Sequence, residues 1–149
     1  MNILGPGEGR TVEFRGATIL RKADGSDTGG SWAVGEAAQP AGFENSLHSH
    51  TEPEAFYVLE GDFTLYGSDG QTRLTPGSFV LIKPGEVHGF RAGEDGGRFL
   101  AIWPAKMDGY FESMVSQART GSASPEAMAE IGHRHGVTGH GELPDAQRS

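Results

Sequence analysis

The chain has 149 residues, contains no cysteine and carries a formal net charge of −8, from 12 basic and 20 acidic residues. A chain of this length is expected to form one domain, 1–149, with a buried core. The acidic balance argues against nucleic acid as a partner, because nucleic-acid binding depends on clustered Lys and Arg. The N-terminus lacks the basic and apolar regions of a signal peptide, and no apolar stretch is long enough to span a membrane. We therefore predict a cytoplasmic protein with no membrane partner.

Short β-strands separated by tight turns are predicted for the first two thirds of the chain. The 24 glycines and 8 prolines suit many such turns. The predicted strands are the apolar or alternating runs 17–21, 31–36, 46–50, 55–60, 63–66, 72–75, 79–83, 88–91 and 98–103. Strands at this regular spacing are typical of a β-sandwich or β-barrel, here over about residues 15–105.

His48 and His50 lie in the third predicted strand and carry the strongest chemical signal in the sequence. Side chains two residues apart on a strand point to the same face, with Cα atoms about 6.6 Å apart, so both imidazoles can converge on one ion. Pro53 cannot donate to a strand ladder, so the chain is expected to turn there and to begin a new strand at Glu54. If these two strands pair antiparallel, one hairpin supplies three metal ligands.

The ligand types define the expected cofactor, a single divalent metal ion. With no cysteine in the chain, a set of imidazole nitrogens and carboxylate oxygens suits Fe, Mn, Ni, Co or Zn, and the sequence does not rank these metals. His88 follows a Gly-containing turn and is a fourth candidate ligand. Glu52 is expected in the connecting turn and in solvent, so Glu54 is preferred as ligand. Four protein ligands leave an open position for water or substrate, as catalysis requires.

Two segments resemble the conserved motifs of the cupin superfamily. Residues 42–61 (GFENSLHSHTEPEAFYVLEG) match the first motif at every position, and residues 77–88 (GSFVLIKPGEVH) are similar to the second. The second motif departs from the family at Lys83, where proline is usual, and at Ala92, where asparagine is common. The resemblance implies a mainly β fold, the cupin double-stranded β-helix or jelly-roll barrel. It also implies one metal ion bound inside the barrel by His48, His50, Glu54 and His88.

A closer resemblance is to small single-domain bacterial cupins of the quercetin 2,3-dioxygenase-like group, which residues 54–61, 75–82 and 102–114 fit. This resemblance predicts a metal-dependent dioxygenase, an oxidoreductase acting on a small aromatic or enolisable, flavonol-like compound. Glu54 is the expected catalytic base, because a carboxylate can exchange between metal and proton. Residues 44–46 are polar where that group carries apolar residues, which argues against flavonol itself.

Two alternatives use the same barrel. The metal can act as a Lewis acid without redox chemistry, in an isomerase or a polyketide cyclase. The protein can also bind a small molecule without chemistry, in which case a ligand would stabilise the fold without turnover. The cupin resemblance, together with the open edge strands of such a sandwich, favours a homodimer.

Strand alternation also predicts the walls of a substrate pocket. Inward-facing positions near the ligands, together with nearby aromatic residues, give the pocket candidates Ser46, Phe56, Val58, Phe63, Phe90 and Trp103. Trp32 is a further candidate wall. Aromatic residues also fill ordinary cores, so the chemistry of these positions is less specific than that of the ligands.

After Pro104 the hydrophobic period changes to that of helices, which predicts a helical extension over 107–136. Phe111, Met114 and Val115 share one face of a first helix, and Ser124 as N-cap starts a second. Both helices are expected to cover the barrel, and a polar tail follows over 137–149.

The histidines near the end of the second helix are His133, His135 and His140. They do not lie on a predicted strand, so the argument from strand spacing does not apply to them. The sequence does not predict that they bind the metal.

Overall fold

The computed structural model describes residues 1–121 and 124–145, which form nine β-strands and two α-helices. The strands are Arg10–Phe14 (β1), Ala17–Ala23 (β2), Trp32–Gln39 (β3), Glu44–His50 (β4), Glu54–Gly67 (β5), Gly70–Leu74 (β6), Phe79–Ile82 (β7), His88–Pro104 (β8) and Val137–Gly139 (β9). The helices are Asp108–Arg119 (α1) and Pro125–Arg134 (α2), and a 3-10 turn, Ala105–Met107, precedes α1. The predicted mainly β jelly roll with two C-terminal helices is confirmed.

β8 is the strand that joins the two halves of the barrel. All pairings are antiparallel, and the main path through the sheet is β1-β2-β3-β8-β4-β9. The other long strand, β5, pairs with β6, β7 and β8. One end of β8 therefore lies between β4 and β5, and its other end lies between β3 and β5.

Gly61, which lies between two predicted strands, instead bends one continuous strand. Residues 55–60 and 63–66 belong to the single strand β5, whose register with β8 shifts around Gly61. Gly61 has φ of +68°, and a Cβ there would lie 2.2 Å from the carbonyl oxygen of Gly96. Only glycine allows this close approach, so the positive φ produces a β-bulge that curves the sheet and does not end the strand.

The predicted hairpin of β4 and β5 is wrong. Within the described residues β4 pairs with β8 and β9, whereas β5 pairs with β6, β7 and β8. Residues 51–53 therefore carry the chain from one strand system to another. A turn signal marks where a strand ends but not which strand its neighbour will be. The partner of β4 is set by the distant strand β8, in which His88 lies directly opposite His48.

The barrel interior is filled by aromatic rings. Phe56, Phe63, Phe90 and Phe99 contact one another with ring centroids 4.8 to 6.4 Å apart. All four are buried, and burial of each such side chain stabilises the fold by roughly 1.5–3 kcal/mol. The rings fill the barrel below the ends of β4 and β8, and so fix the strands that carry the histidines.

The C-terminal extension returns to the barrel as an added strand. Ser124 caps α2 by accepting from the Ala127 amide at 3.2 Å, as predicted. β9 then pairs with β4, with Val137 opposite His50 and Gly139 opposite His48. The predicted polar tail 137–149 thus begins with a strand, because β4 offers open backbone groups and Val137 is apolar. Residues 146–149 of that tail lie outside the described residues.

Helices α1 and α2 are both too short and too polar to cross a membrane, and so is every other helical segment in the described ranges.

Candidate metal centre

Three histidines converge at one end of the barrel. His48 and His50 come from β4, and His88, opposite His48, comes from the start of β8. Each offers one ring nitrogen, and these nitrogens lie within 4.8 Å of one another. The His48 and His88 rings are 4.3 Å apart and the His50 and His88 rings 4.9 Å apart, measured between centroids. The strand registers therefore bring together two side chains that are 40 residues apart in sequence.

Backbone carbonyls fix the orientation of all three rings. Nδ1 of His48 donates to the Ser46 carbonyl at 2.8 Å, Nδ1 of His50 to the Glu52 carbonyl at 2.5 Å, and Nδ1 of His88 to the Glu86 carbonyl at 3.0 Å. A carbonyl can only accept, so the proton of each neutral ring is on Nδ1. The lone pair on each Nε2 is left for a ligand, which is the arrangement that metal-binding histidines use.

Glu54 adds a carboxylate beside two of the three rings. It is the first residue of β5 and is 8% exposed. Its Oε2 lies 3.2 Å from Nε2 of His50 and 3.9 Å from Nε2 of His88. The group of mutually close nitrogens contains the histidines alone, so Glu54 borders this group from β5. Its predicted roles as ligand and base both remain predictions.

The residues present fit a divalent metal ion. Nε2 of His88 is buried, and it finds no hydrogen-bond partner among the described residues. Leaving such an atom unsatisfied costs about 1–3 kcal/mol, and a cation that accepts the lone pair would remove this cost. Three imidazoles and one carboxylate form a donor set for Fe, Mn, Co, Ni or Zn.

Burial also keeps two of the rings in the neutral form that binds metals. Burial, reinforced by the nearby His48, lowers the pKa of His88 to about 4, and burial likewise lowers the pKa of His48. Burial alone would lower the pKa of His50 too, but the adjacent Glu54 carboxylate, together with the carbonyl and charge of Glu52, outweighs it and the pKa is raised. His50 is thus the ring most closely coupled to Glu54.

The predicted pocket residues separate into those near the centre and those in the core. Phe56 and Phe90 follow Glu54 and His88 by two residues on the same strand faces, and they form the floor below the centre. Trp103 neighbours Glu54, since Ala55 pairs with Ile102. Its Nε1 donates to Asp108 at 2.8 Å.

The remaining three pocket candidates differ from that description. Val58 and Phe63 are fully buried in the core, and Ser46 is exposed, with its carbonyl used by His48. That these residues line a substrate pocket stays a prediction.

Sequence reasoning missed two side chains of the extension that interact with residues around the centre. Tyr110, in the first turn of α1, is half-buried, and burial together with the charge of Glu54 raises its pKa. His140 follows β9, and its Nε2 is 2.9 Å from the Ser49 hydroxyl, one residue from both strand histidines. No local sequence signal identifies either residue, because the docking of the extension places them.

Glu52 also differs from its expected role in solvent. Its carboxylate forms an ion pair with Lys106, and its carbonyl holds His50. The 3-10 turn before α1 is thereby tied to the loop that orients a candidate ligand.

An antiparallel barrel with histidines converging from β4 and β8 is typical of one class of protein. The comparisons with known proteins identify this class. The cupin domain profile matches residues 36–103, which run from β3 to β8. These residues of the chain form a cupin domain. No curated protein sequence matches it.

Solved structures with a similar fold include several cupins. The polyketide cyclase RemF from Streptomyces resistomycificus is 25% identical, with a TM-score of 0.64 over 70% of this chain and 80% of that one. KdgF from a Halomonas species is 17% identical, with a TM-score of 0.63 over 72% and 97% of the two chains. An RmlC-like cupin from Shewanella frigidimarina is 17% identical, with a TM-score of 0.61 over 70% and 91%.

Proposed function

We propose that this protein is a metal-dependent enzyme that acts on a small compound with a carbonyl or enol group and uses the metal as a Lewis acid. The observation that carries this proposal is the position of the Glu54 carboxylate, 3.2 Å from His50 and 3.9 Å from His88, beside three converging ring nitrogens. A base next to a metal centre is what proton abstraction beside a carbonyl requires.

His48, His50 and His88 would hold the ion through Nε2. When bound, the ion would polarise a carbonyl or enol oxygen of the substrate. Glu54 is placed to take a proton from the carbon next to that carbonyl, and the C–H electron pair then moves toward the oxygen. Return of the proton to another carbon gives an isomer, whereas attack of the electron-rich carbon on a second carbonyl closes a ring. Both outcomes need no oxidant.

Side chains of the C-terminal extension would complete the site. Tyr110 lies close enough to Glu54 for the carboxylate charge to affect its pKa, after the larger effect of burial. Its hydroxyl can donate a hydrogen bond to a substrate oxygen. Phe56 and Trp103 exclude water from one side of Glu54, because both are buried. The similarity to a polyketide cyclase supports ring closure as the type of reaction.

The predicted dioxygenase is the second candidate, and the resemblance of residues 54–61 to the quercetin 2,3-dioxygenase-like group favours it. The same four side chains suit a redox metal as well as zinc. Oxygen chemistry would begin with the same proton transfer to Glu54 and would then require dioxygen. Cytoplasmic location stays a prediction from the sequence.

The test combines metal analysis with two assays on protein purified without an affinity tag. α-Proton exchange of aryl ketones and 3-oxo esters in D₂O is followed by NMR without oxygen, and oxygen uptake is measured with phenolic and enolic compounds. Glu54→Gln should keep the metal and lower the exchange rate about 10²–10⁴-fold, the usual contribution of a general base. Glu13→Gln, which changes an exposed carboxylate of β1, is the control and should retain exchange.

Each result supports a different function for the site. Metal-dependent exchange that Glu54→Gln abolishes supports the proposal. Metal-dependent oxygen uptake, without exchange under anaerobic conditions, would replace it with the dioxygenase. Stabilisation by a compound with neither activity would indicate a binding protein.

A further inference from the structure

Three polar residues begin β4, and the mechanism proposed above uses none of their side chains. Glu44 lies on the outer face of the sheet, where its carboxylate accepts a hydrogen bond from Nε of Arg91 at 2.7 Å. Ser46 is exposed. Asn45 directly follows Glu44, and successive side chains on a strand point to opposite faces. Asn45 therefore points into the barrel.

The pairing of β4 with β8 gives the same direction for Asn45. Asn45 lies opposite Phe90, and residues directly opposite each other on paired strands share a face of the sheet. Phe90 is buried and packs against the other rings of the barrel interior. The amide of Asn45 is therefore a polar group beside an apolar inner wall.

A β-bulge brings Asn45 onto the same face as His48, although the two are three residues apart. The register of β4 shifts between them, so their partners on β8 are only two residues apart. Gly89 allows this bulge, because a Cβ there would lie 2.7 Å from the carbonyl oxygen of Asn45. In an unbroken strand Ser46 would share the face of His48, and Asn45 would point away.

Asn45 and His48 are also the inward-facing residues of β4 that solvent reaches. Both are partly exposed. The other members of the centre, His50, His88 and Glu54, are all 8% exposed or less. The strip of inner wall between Asn45 and His48 is therefore the side from which a small molecule reaches the centre.

The side-chain amide of Asn45 forms no hydrogen bond to another described residue. An amide offers two N–H donors and one carbonyl acceptor. A bound molecule that covers Asn45 must supply a partner for it, because leaving a polar group unpaired away from water weakens binding by roughly 10–100-fold. A hydroxyl group on the bound molecule fits this requirement, since it can both donate and accept.

We infer that Asn45 binds a second oxygen of the substrate, remote from the carbonyl that reacts at the centre, and that the substrate is a hydroxylated aryl ketone. This inference rests on the function proposed above. The spacing favours this class, because neighbouring positions on one face of a strand are about 6.6 Å apart, which is close to the span from a carbonyl oxygen across a benzene ring to a para hydroxyl. Asn45 thereby orients the substrate and selects it over compounds that lack the second oxygen.

The test compares 4-hydroxyacetophenone with acetophenone, which differ only in the remote hydroxyl. Exchange of the protons next to the carbonyl is followed in D₂O without oxygen, with metal-loaded protein. The wild-type protein should prefer the hydroxylated compound by roughly 10–100-fold in kcat/KM, mostly through KM, because the contact lies away from the reacting bond. Asn45→Leu, which keeps the approximate shape of the side chain, should remove this preference and change kcat little. Asn2→Leu, the same substitution at an exposed asparagine, is the matched control and should keep it.

Calorimetric titration of Glu54→Gln gives a second measurement that needs no turnover. This variant should bind the hydroxylated compound more tightly than acetophenone, by the same factor. Asn45→Leu/Glu54→Gln should bind the two compounds equally. The comparison of the two compounds on the wild-type protein does not depend on whether any variant folds.

The two measurements distinguish failure of this inference from failure of the proposed function. Exchange of both compounds with equal kcat/KM, or a preference that survives Asn45→Leu, would overturn the role of Asn45 and leave the proposed reaction standing. A preference in binding that Asn45→Leu removes, without exchange by the wild-type protein, would support the role of Asn45 and overturn the reaction. If neither compound binds at millimolar concentration, the inferred substrate class is wrong.

Discussion

The barrel strands and the C-terminal extension contribute to the centre by different kinds of contact. β4 and β8 hold the histidines through ladder register and through three backbone carbonyls. The extension contacts the residues around the centre with side chains, since Lys106 pairs with Glu52 and His140 with Ser49. Backbone positions are fixed by the whole sheet, whereas side-chain contacts on a docked segment can open locally.

This difference predicts that the proposed metal binding and the proposed catalysis can be separated by mutation. The candidate metal ligands lie on barrel strands, whose positions are supported by the pairing of the whole sheet. The side chains of the C-terminal extension, by contrast, are held in place by one short strand, β9, and a few polar contacts. Changes in the barrel should therefore remove the metal, and changes in the extension should weaken its retention or slow the reaction.

The largest effect is expected for His88→Ala. His88 is 2% exposed and is one of the three converging rings. Loss of a ligand should lower metal affinity more than the 10–100-fold cost of losing an outer partner, by roughly 10³-fold or more. Elemental analysis after dialysis, with competition against a chromophoric chelator, measures this. The control is His133→Ala, an exposed histidine of α2, and one equivalent of metal retained by His88→Ala would disprove the assignment.

A smaller effect is expected for Val137→Asp, which tests the contact between the two regions. Val137 is 7% exposed in β9 and lies opposite His50. A buried, unpaired carboxylate there should lower the free energy of unfolding by about 2–4 kcal/mol and detach β9 from β4. Metal affinity should fall 10–100-fold, as for loss of an outer partner.

The neighbouring exposed residue provides the control for this change. Thr138→Asp introduces the same charge one position along β9 on the solvent side. It should leave the metal affinity and the chelator-free unfolding midpoint close to those of the wild-type protein. Equal effects of the two variants would show that charge near the centre matters and that the strand pairing does not.

The two regions also differ in how far the sequence predicts them. His48 and His50 are two residues apart on a strand, so their shared face follows from local geometry, and the structure brings them together. The place of Glu54 relative to them does not follow, because it depends on the long-range pairing of β4 with β8. Gly61 shows the same limit, since a positive φ serves a turn and a bulge equally.

The extension is less predictable for a related reason. The caps and the apolar face of α2 are local signals, and Ser124 and Ile131 take the expected positions. β9 has only three residues, and its one buried side chain, Val137, forms no repeating pattern. The influence of Glu54 on Tyr110 depends on the way α1 docks on the barrel, which a helical pattern does not specify.

The smallest effect is expected for Tyr110→Phe, which changes the extension without touching a ligand. The substitution keeps the ring, which lies edge-on to His135 at 6.2 Å, and removes only the hydroxyl, whose pKa is raised by burial and by the charge of Glu54. Metal content should be unchanged. The kcat of the reaction identified by the exchange or oxygen assays should fall about 10-fold, less than the 10²–10³-fold cost of removing a donor from a fully preorganised site. Tyr57→Phe, on the outer sheet face, is the matched control. A loss of metal from Tyr110→Phe would show instead that the hydroxyl contributes to holding the ion, and its proposed role in the reaction alone would be wrong.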